Sequence, residues 1–528
     1  MDVKNVSAQA LKSMLHDGKE IAVLDAREEG DFATSHLLLA ASVPLSRLEA
    51  LLALRVPRRS ARIVWMDANE GFAERAAKRS CQLGYGDVSV LEGGVEAWRM
   101  AGYLVYTGVH VPSKAFAEVV EHEEATPWIS ASDLQARMAE DPSVVLLDSR
   151  SYEEYHSNTI PGSVSCPGAE LVYRIQEMVP SKDTTVVVNC GGRTRSIIGA
   201  QSLINAGLEN PVLSLRDGTM AWHLAGLEVA SGREARAPEV SDTGRAWAER
   251  AVEGVAARFE VPRIGSDALE GWLADDERTT YVVDVRTREE YEAGHIASAR
   301  LVPGGQLVQE TDRHIGVWGS RVVLTDDDDV RATMTASWLI QMGWDAHVFV
   351  PEAEYPRVTG PQAAEILGLE QAQAETLSTA ELAAALESVH VPLVIDIESS
   401  EAYERAHVAG AWFATRARLE SGMAELPSAA ELVVTSADGV QAHLAASVLA
   451  ADGKRARALE GGTAAWVSVG LPVEHGLTRV ATPANESWRV PRNREPQRRE
   501  AFMREYLSWE TALVHVIAHD DDCRYRKF

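Results

Sequence analysis

Short apolar runs alternate with segments of helical spacing four times along the chain, each time in the same register. The first run of each copy ends in an acid: IAVLD from 21, VVLLD from 144, YVVD from 281 and LVID from 393, so that Asp25, Asp148, Asp284 and Asp396 correspond. An aromatic residue stands seven positions later in every copy, at Phe32, Tyr155, Tyr291 and Tyr403. A second apolar run follows in each: RIVWM from 62, VVVN from 186, VVLT from 322 and LVVT from 432. Runs of this length, rich in β-branched residues, predict buried strands. Each opens into a polar loop, beginning at Asp67, Cys190, Asp326 or Ser436, and then into a segment of helical period. Seventeen residues past each loop start stands a glycine, Gly84, Gly207, Gly343 or Gly453, where a helix would end in a left-handed residue. A closing turn and tryptophan complete three copies, at Trp98, Trp222 and Trp466; the third copy reads HVFVPEAEYP instead.

Strands alternating with helices predict an α/β fold of four tandem doubly wound parallel-sheet domains. The expected repeats span 1–112, 126–232, 260–356 and 374–475, with a tail over 476–528. Residues 233–259 begin polar and then take on helical character, and the tail is rich in arginine and tryptophan without a repeat signature. In open α/β sheets, sites lie at the carboxyl ends of strands. The four loops that follow the second runs are therefore the candidate sites.

Composition narrows the function. A chain of 528 residues is too long for one core. Its 46% hydrophobic and 24% charged residues are those of a globular protein. The formal net charge of -27 argues against nucleic acid and anionic membrane as partners. It also repels small anions, so an anion site must be built locally. No apolar run approaches a membrane span, and the start MDVKNVSAQALKSML lacks signal-peptide form. Cys81, Cys166, Cys190 and Cys523 are too few and scattered to staple the fold, which suits a reducing, cytoplasmic compartment.

The second loop, CGGRTR from Cys190, carries the chemistry. A thiolate is the nucleophilic form of cysteine, and nearby arginines and a helix N-terminus lower its pKa. Gly191 and Gly192 let the backbone curl its N–H groups into an anion cradle. Arg193 and Arg195 add fixed charge, the helix dipole adds roughly half a unit more, and Thr194 and Ser196 offer hydroxyls to a terminal sulfur. Asp67, Asp326 and Ser436 replace the thiol in the other copies.

These features resemble rhodanese domains over nearly all of residues 1–475. Asp148, Arg150, Glu153, Glu154, Tyr155, Pro161 and Gly162 are similar to the family's front motif, and Cys190 to Arg195 matches its six-residue catalytic loop. The resemblance implies a sulfurtransferase in which Cys190 takes a sulfane sulfur from a small anionic donor such as thiosulfate. Cys190 then passes it to a thiol, cyanide or protein acceptor, with no metal or organic cofactor. The related phosphatases and arsenate reductases have a loop one residue longer. CGGRTR is not close to the loops typical of the two-domain thiosulfate or mercaptopyruvate enzymes, which leaves the donor open. A scaffold, or a sensor of sulfide or oxidants with one reactive cysteine, is the alternative. The silent copies are expected to be architectural, walling in the second.

Blander roles are expected elsewhere. Cys81 reads as helix core, Cys166 as part of the strand expected after Pro161, the three tryptophans as packing at domain seams, and Asp326 to Asp329 as a solvated loop. His515 and His519 share a helical spacing but lack a second ligand pair for a metal.

Overall fold

The structure, a computed structural model, describes residues 3–362, 365–489 and 496–528. The four predicted copies each form a sheet, and the strands fall where the apolar runs stand. In the second, the spatial order is Trp128–Ile129, Val212–Leu215, Val186–Asn189, Val145–Asp148 and Val164–Ser165. All of its pairings are parallel. The first and fourth sheets repeat this five-strand order. The third has four strands, and a single bridge from Arg263 to Val348 stands where the others have an edge strand. The architecture is thus the doubly wound parallel α/β fold that strand–helix alternation implies.

The shared landmarks now have physical roles. Asp25, Asp148, Asp284 and Asp396 end the central strands Ala22–Asp25, Val145–Asp148, Thr280–Asp284 and Leu393–Asp396. Three of them hold an arginine two residues on through paired hydrogen bonds: Arg27, Arg150 and Arg286. In the fourth copy Glu398 takes that place. The aromatics seven residues on are fully buried, and each tyrosine hydroxyl donates to a carbonyl eight residues later. The glycines seventeen residues past the loop starts all have positive φ, 93°, 74°, 93° and 78° in order, the left-handed ends expected of the preceding helices.

Three expectations need correction. Trp98, Trp222 and Trp466 do not lie at seams. Each is buried, and its indole N–H donates to a carbonyl six residues on in its own copy. Trp222 packs with Ile129, Leu134 and Leu215, and Trp466 with Leu377 and Leu382. Cys81, on the last turn of helix Phe72–Gln82, is half-buried rather than core. The Asp326 to Asp329 run is solvated only in part, with Asp327 exposed. Asp326 is buried and accepts helix N–H bonds. Asp327 pairs with Arg286 and Arg357, Asp328 with Arg245, and Asp329 with Arg263.

The chain divides into two compact units, one holding the first and fourth sheets, the other the second and third with the C-terminal helix Arg499–Ile517. In the second unit, helix Asp242–Arg258 packs on both Glu170–Arg174 and Val330–Gln341, binding the two copies. Buried Arg331 bonds Glu170 of the second copy and Glu290 of the third. Helix Val111–Glu123 lies between helix Thr194–Asn205 and the C-terminal helix, touching both. Among the described residues, no helix is long and apolar enough to cross a membrane.

Candidate active site

Strand Val186–Asn189 delivers Cys190 to the carboxyl edge of the second sheet, and helix Thr194–Asn205 begins four residues later. Equivalent positions in the other copies show what this geometry does. The amide of Ala73 donates to Asp67 Oδ2 at 3.1 Å, that of Ala332 to Asp326 Oδ2 at 2.9 Å, and that of Ala442 to Ser436 Oγ at 3.2 Å. In each, the N–H six residues on, at the helix start, bonds the side chain that opens the loop. Unpaired N–H groups at a helix N-terminus favour such acceptors. In the second copy the thiol stands in that place, and Cys190 Sγ donates to Ser196 Oγ at 3.6 Å.

The closing turn grips the same loop from the far side. The amide of Thr219 donates to Cys190 O at 2.9 Å and that of Met220 to Gly191 O at 3.2 Å. Gly218 has φ +54°, and a β-carbon there would lie 2.3 Å from Cys190 O. Gly94 and Gly462 press equally closely on Asp67 O and Ser436 O. The sequence marked this turn through its tryptophan; its use is to hold the loop backbone.

Charge at the site is tightly paired. Arg195, half-buried, makes two bonds to Glu154, at 2.6 and 2.8 Å, and one to Gln306 of the third copy at 3.0 Å. Glu154 also closes a capping box with Ser151, so one carboxylate fixes both a helix start and the arginine. Arg193 is buried and spent on Glu118, Glu121 and Asp217. Burial pushes the Glu118 carboxyl up to about 7 in spite of that partner. Ser196 Oγ donates to Arg193 O at 2.8 Å.

Two expectations shift here. Thr194 does not turn its hydroxyl on the sulfur but donates it to Glu510 Oε1 at 2.8 Å. Nor is the Cys190 thiol depressed overall. Burial, with the side chain only 2% exposed, raises it, while Arg195 and the Ser196 bonds pull it down and Glu510 pushes it up. Desolvation of the thiolate outweighs the single nearby guanidinium.

Glu510 and Tyr506, both on helix Arg499–Ile517, escaped the sequence reading because the tail carries no repeat signature. A signal was present. The buried stripe of that helix runs Met503, Leu507, Glu510, Leu513 and Ile517, so an acid occupies an apolar position. Lys114, from helix Val111–Glu123, lies over the rings of Tyr506 and Trp509 at 5.2 and 5.1 Å.

The remaining cysteines lie apart from this chemistry. Cys166 is buried directly after strand Val164–Ser165, donates its amide to Asp148 O, and has its thiol driven far up by burial. All four cysteines are unbridged thiols. His515 lies on the C-terminal helix and His519 just beyond it. Among the described residues, no group of three histidine, cysteine or acidic side chains could hold a metal ion.

Comparison with known proteins adds an independent view. The family described as "Rhodanese-like domain" matches residues 7–101, 130–225, 266–353 and 378–469. The crystal structure of a thiosulfate sulfurtransferase from Pseudomonas aeruginosa is 43% identical, with a TM-score of 0.95 over 99% of each chain. A sulfurtransferase of Allochromatium vinosum is 31% identical over 103 residues, 20% of this chain and 94% of that protein. An HTH-type transcriptional regulator of Mycobacterium tuberculosis is 35% identical over 96 residues, and the match spans 42% of its length.

Proposed function

The chain belongs to the rhodanese family and is a rhodanese-type sulfurtransferase, and on that premise we propose that Cys190 carries the transferred sulfur as a persulfide. The observation that supports this most directly is that four loops open at equivalent places before a helix start, where Asp67, Asp326 and Ser436 each accept the N–H six residues on and Cys190 alone presents a thiol. An aspartate or serine in that cradle cannot carry sulfane sulfur.

The Cys190 thiolate attacks the outer sulfur of thiosulfate. The bond between that sulfur and the sulfonate breaks, and its electron pair leaves with sulfite. Cys190 then holds a terminal sulfur anion at the mouth of the helix, where N–H groups and the dipole favour negative charge. Gly191 and Gly192 allow the loop to curl around it. Arg195 stabilises thiolate and persulfide from Glu154's clamp, whereas Arg193 shapes the loop from its own carboxylate partners. Ser196 Oγ accepts from the resting thiol, and Thr194 ties the loop to the C-terminal helix. A cyanide, thiol or protein nucleophile takes the terminal sulfur and returns the thiolate. The unbridged thiols fit a reducing compartment such as cytoplasm.

Mass spectrometry after thiosulfate treatment, and separately after mercaptopyruvate, tests this reading. One added sulfur on the peptide containing Cys190, removed by cyanide with release of thiocyanate over many cycles, is the expected result. Persulfide formed once without turnover would favour a sensor. Full activity in Cys190→Ser would overturn the assignment.

A further inference from the structure

Glu510 lies against the sulfur cradle, and the transfer step leaves it unused. It is 1% exposed on helix Arg499–Ile517. Its Oε1 accepts from Thr194, while its buried Oε2 has no hydrogen-bond partner. A β-carbon on Gly192 would lie 3.1 Å from Oε2, so the bare oxygen rests against the six-residue loop. Met220 Cε and Tyr506 Cε1, 2.9 and 3.5 Å from the same point, close the other sides. A buried acceptor without a donor is destabilising, and a carboxylate beside an anion cradle opposes its ligand. Protonation relieves both: Oε2 becomes a donor, and the charge is gone.

The charged surroundings are mixed. Helix Val111–Glu123 brings Lys114 and Glu118, with Glu121 bonded to Arg193. The loop brings Arg193 and Cys190, the closing turn brings Asp217, and Tyr506 stands one helical turn back. Lys114, Thr194 and Arg193 favour the carboxylate, but burial is the largest influence and raises the Glu510 pKa.

We infer that Glu510 is a charge filter on the sulfur donor: as a neutral acid its Oε2 donates a hydrogen bond to an anionic group seated over Gly192, and as a carboxylate it repels that group. This rests on Cys190 being the sulfur acceptor. Glu510 keeps its proton through the transfer, in which the S–S bond of the donor breaks and the leaving sulfite or sulfinate takes the electron pair.

The test compares two donors with the same transferable sulfur, dianionic thiosulfate and monoanionic methanethiosulfonate. Cys190 ionisation multiplies both rates and cancels in the ratio of their kcat/KM values. In the wild type, the preference for thiosulfate should fall as pH rises above the ordinary carboxylate range, because the raised carboxyl loses its proton there. Glu510→Gln keeps an acceptor for Thr194 and stays neutral. Its ratio should be flat with pH and about tenfold above wild type at the alkaline end. Alkylation of Cys190 by iodoacetate relative to iodoacetamide should shift in the same sense, and needs no turnover. An unchanged ratio in both assays, or equal acceleration of both reagents in Glu510→Gln, overturns the filter. If neither donor is turned over while the alkylation ratio shifts, the persulfide reading fails and the filter at Cys190 stands.

Discussion

A carboxylate, a thiol, a second carboxylate and a hydroxyl occupy one backbone position in four copies, and the three oxygen side chains accept from the N–H six residues on. The position is shared, and a thiol placed in it is necessary for sulfur transfer without being sufficient. Cys81→Ser, Cys166→Ser and Cys523→Ser should therefore keep most of the cyanide-dependent thiocyanate formation that Cys190→Ser abolishes. A second consequence concerns Asp396. Its counterparts are held by arginines, but here Glu398 stands instead, and burial pushes the Asp396 carboxyl up to about 7. The folded pKa lies above the unfolded value of about 3.9. The protonated form therefore stabilises fully below that value, and the contribution is lost as pH rises to about 7. Glu398→Arg would supply the missing cation and stabilise the fold at pH 8 by about 1–3 kcal/mol, with a smaller gain at pH 5. Urea unfolding at both pH values checks this; an equal gain at each would exclude titration of Asp396 as its source.

Two elements shape the second loop: the helix that carries Glu154 and the turn that carries Gly218. Glu154 fixes Arg195 beside Cys190, and Arg195 lowers the thiol pKa against the pull of burial. Arg195→Ala should cost roughly 10- to 1000-fold in kcat/KM for thiosulfate. It should also raise the Cys190 pKa, read from the pH dependence of iodoacetamide alkylation. Unchanged kinetics would show that the loop backbone suffices. The turn acts by steric fit. A methyl group at Gly218 must displace Cys190 O, 2.3 Å away, from a glycine of positive φ. Gly218→Ala should lower transfer on the order of tenfold to a hundredfold through misplacement of the sulfur. Far-UV circular dichroism should remain that of the wild type.

At the scale of the whole molecule, copies two and three share one compact unit, joined through buried Arg331 and its carboxylates. Removing one partner of a buried pair leaves charge uncompensated, so Arg331→Ala should destabilise that unit by about 3–5 kcal/mol. Calorimetry should show the transition of this unit lowered and that of the other unchanged. The silent loops should stay silent. Phe72 and Gln441 stand where Arg195 stands in the second loop. Gln441 there accepts from Arg416. Asp67→Cys or Ser436→Cys on a Cys190→Ser background should give little sulfur transfer; activity near wild type in either would make the arginine dispensable.

The parallel sheets, the loop positions and the single thiol were legible in the sequence, because they rest on local rules. Apolar runs must become strands, a helix must end on a left-handed glycine, and a nucleophile must be a nucleophilic residue type. Tertiary structure alone decided the rest. The pairing of copy one with four and two with three depends on contacts between segments hundreds of residues apart. Local pattern could not say that the tryptophans fill their own cores or that the aspartate run is paired with arginines. The protonation bias of Cys190 came from burial, which opposes the nearby arginine and is invisible in a motif. Glu510 joined the loop through a helix without any repeat signature. Its only trace in the sequence was an acid in an apolar stripe, and only the bond from Thr194 shows that this acid reaches the second loop.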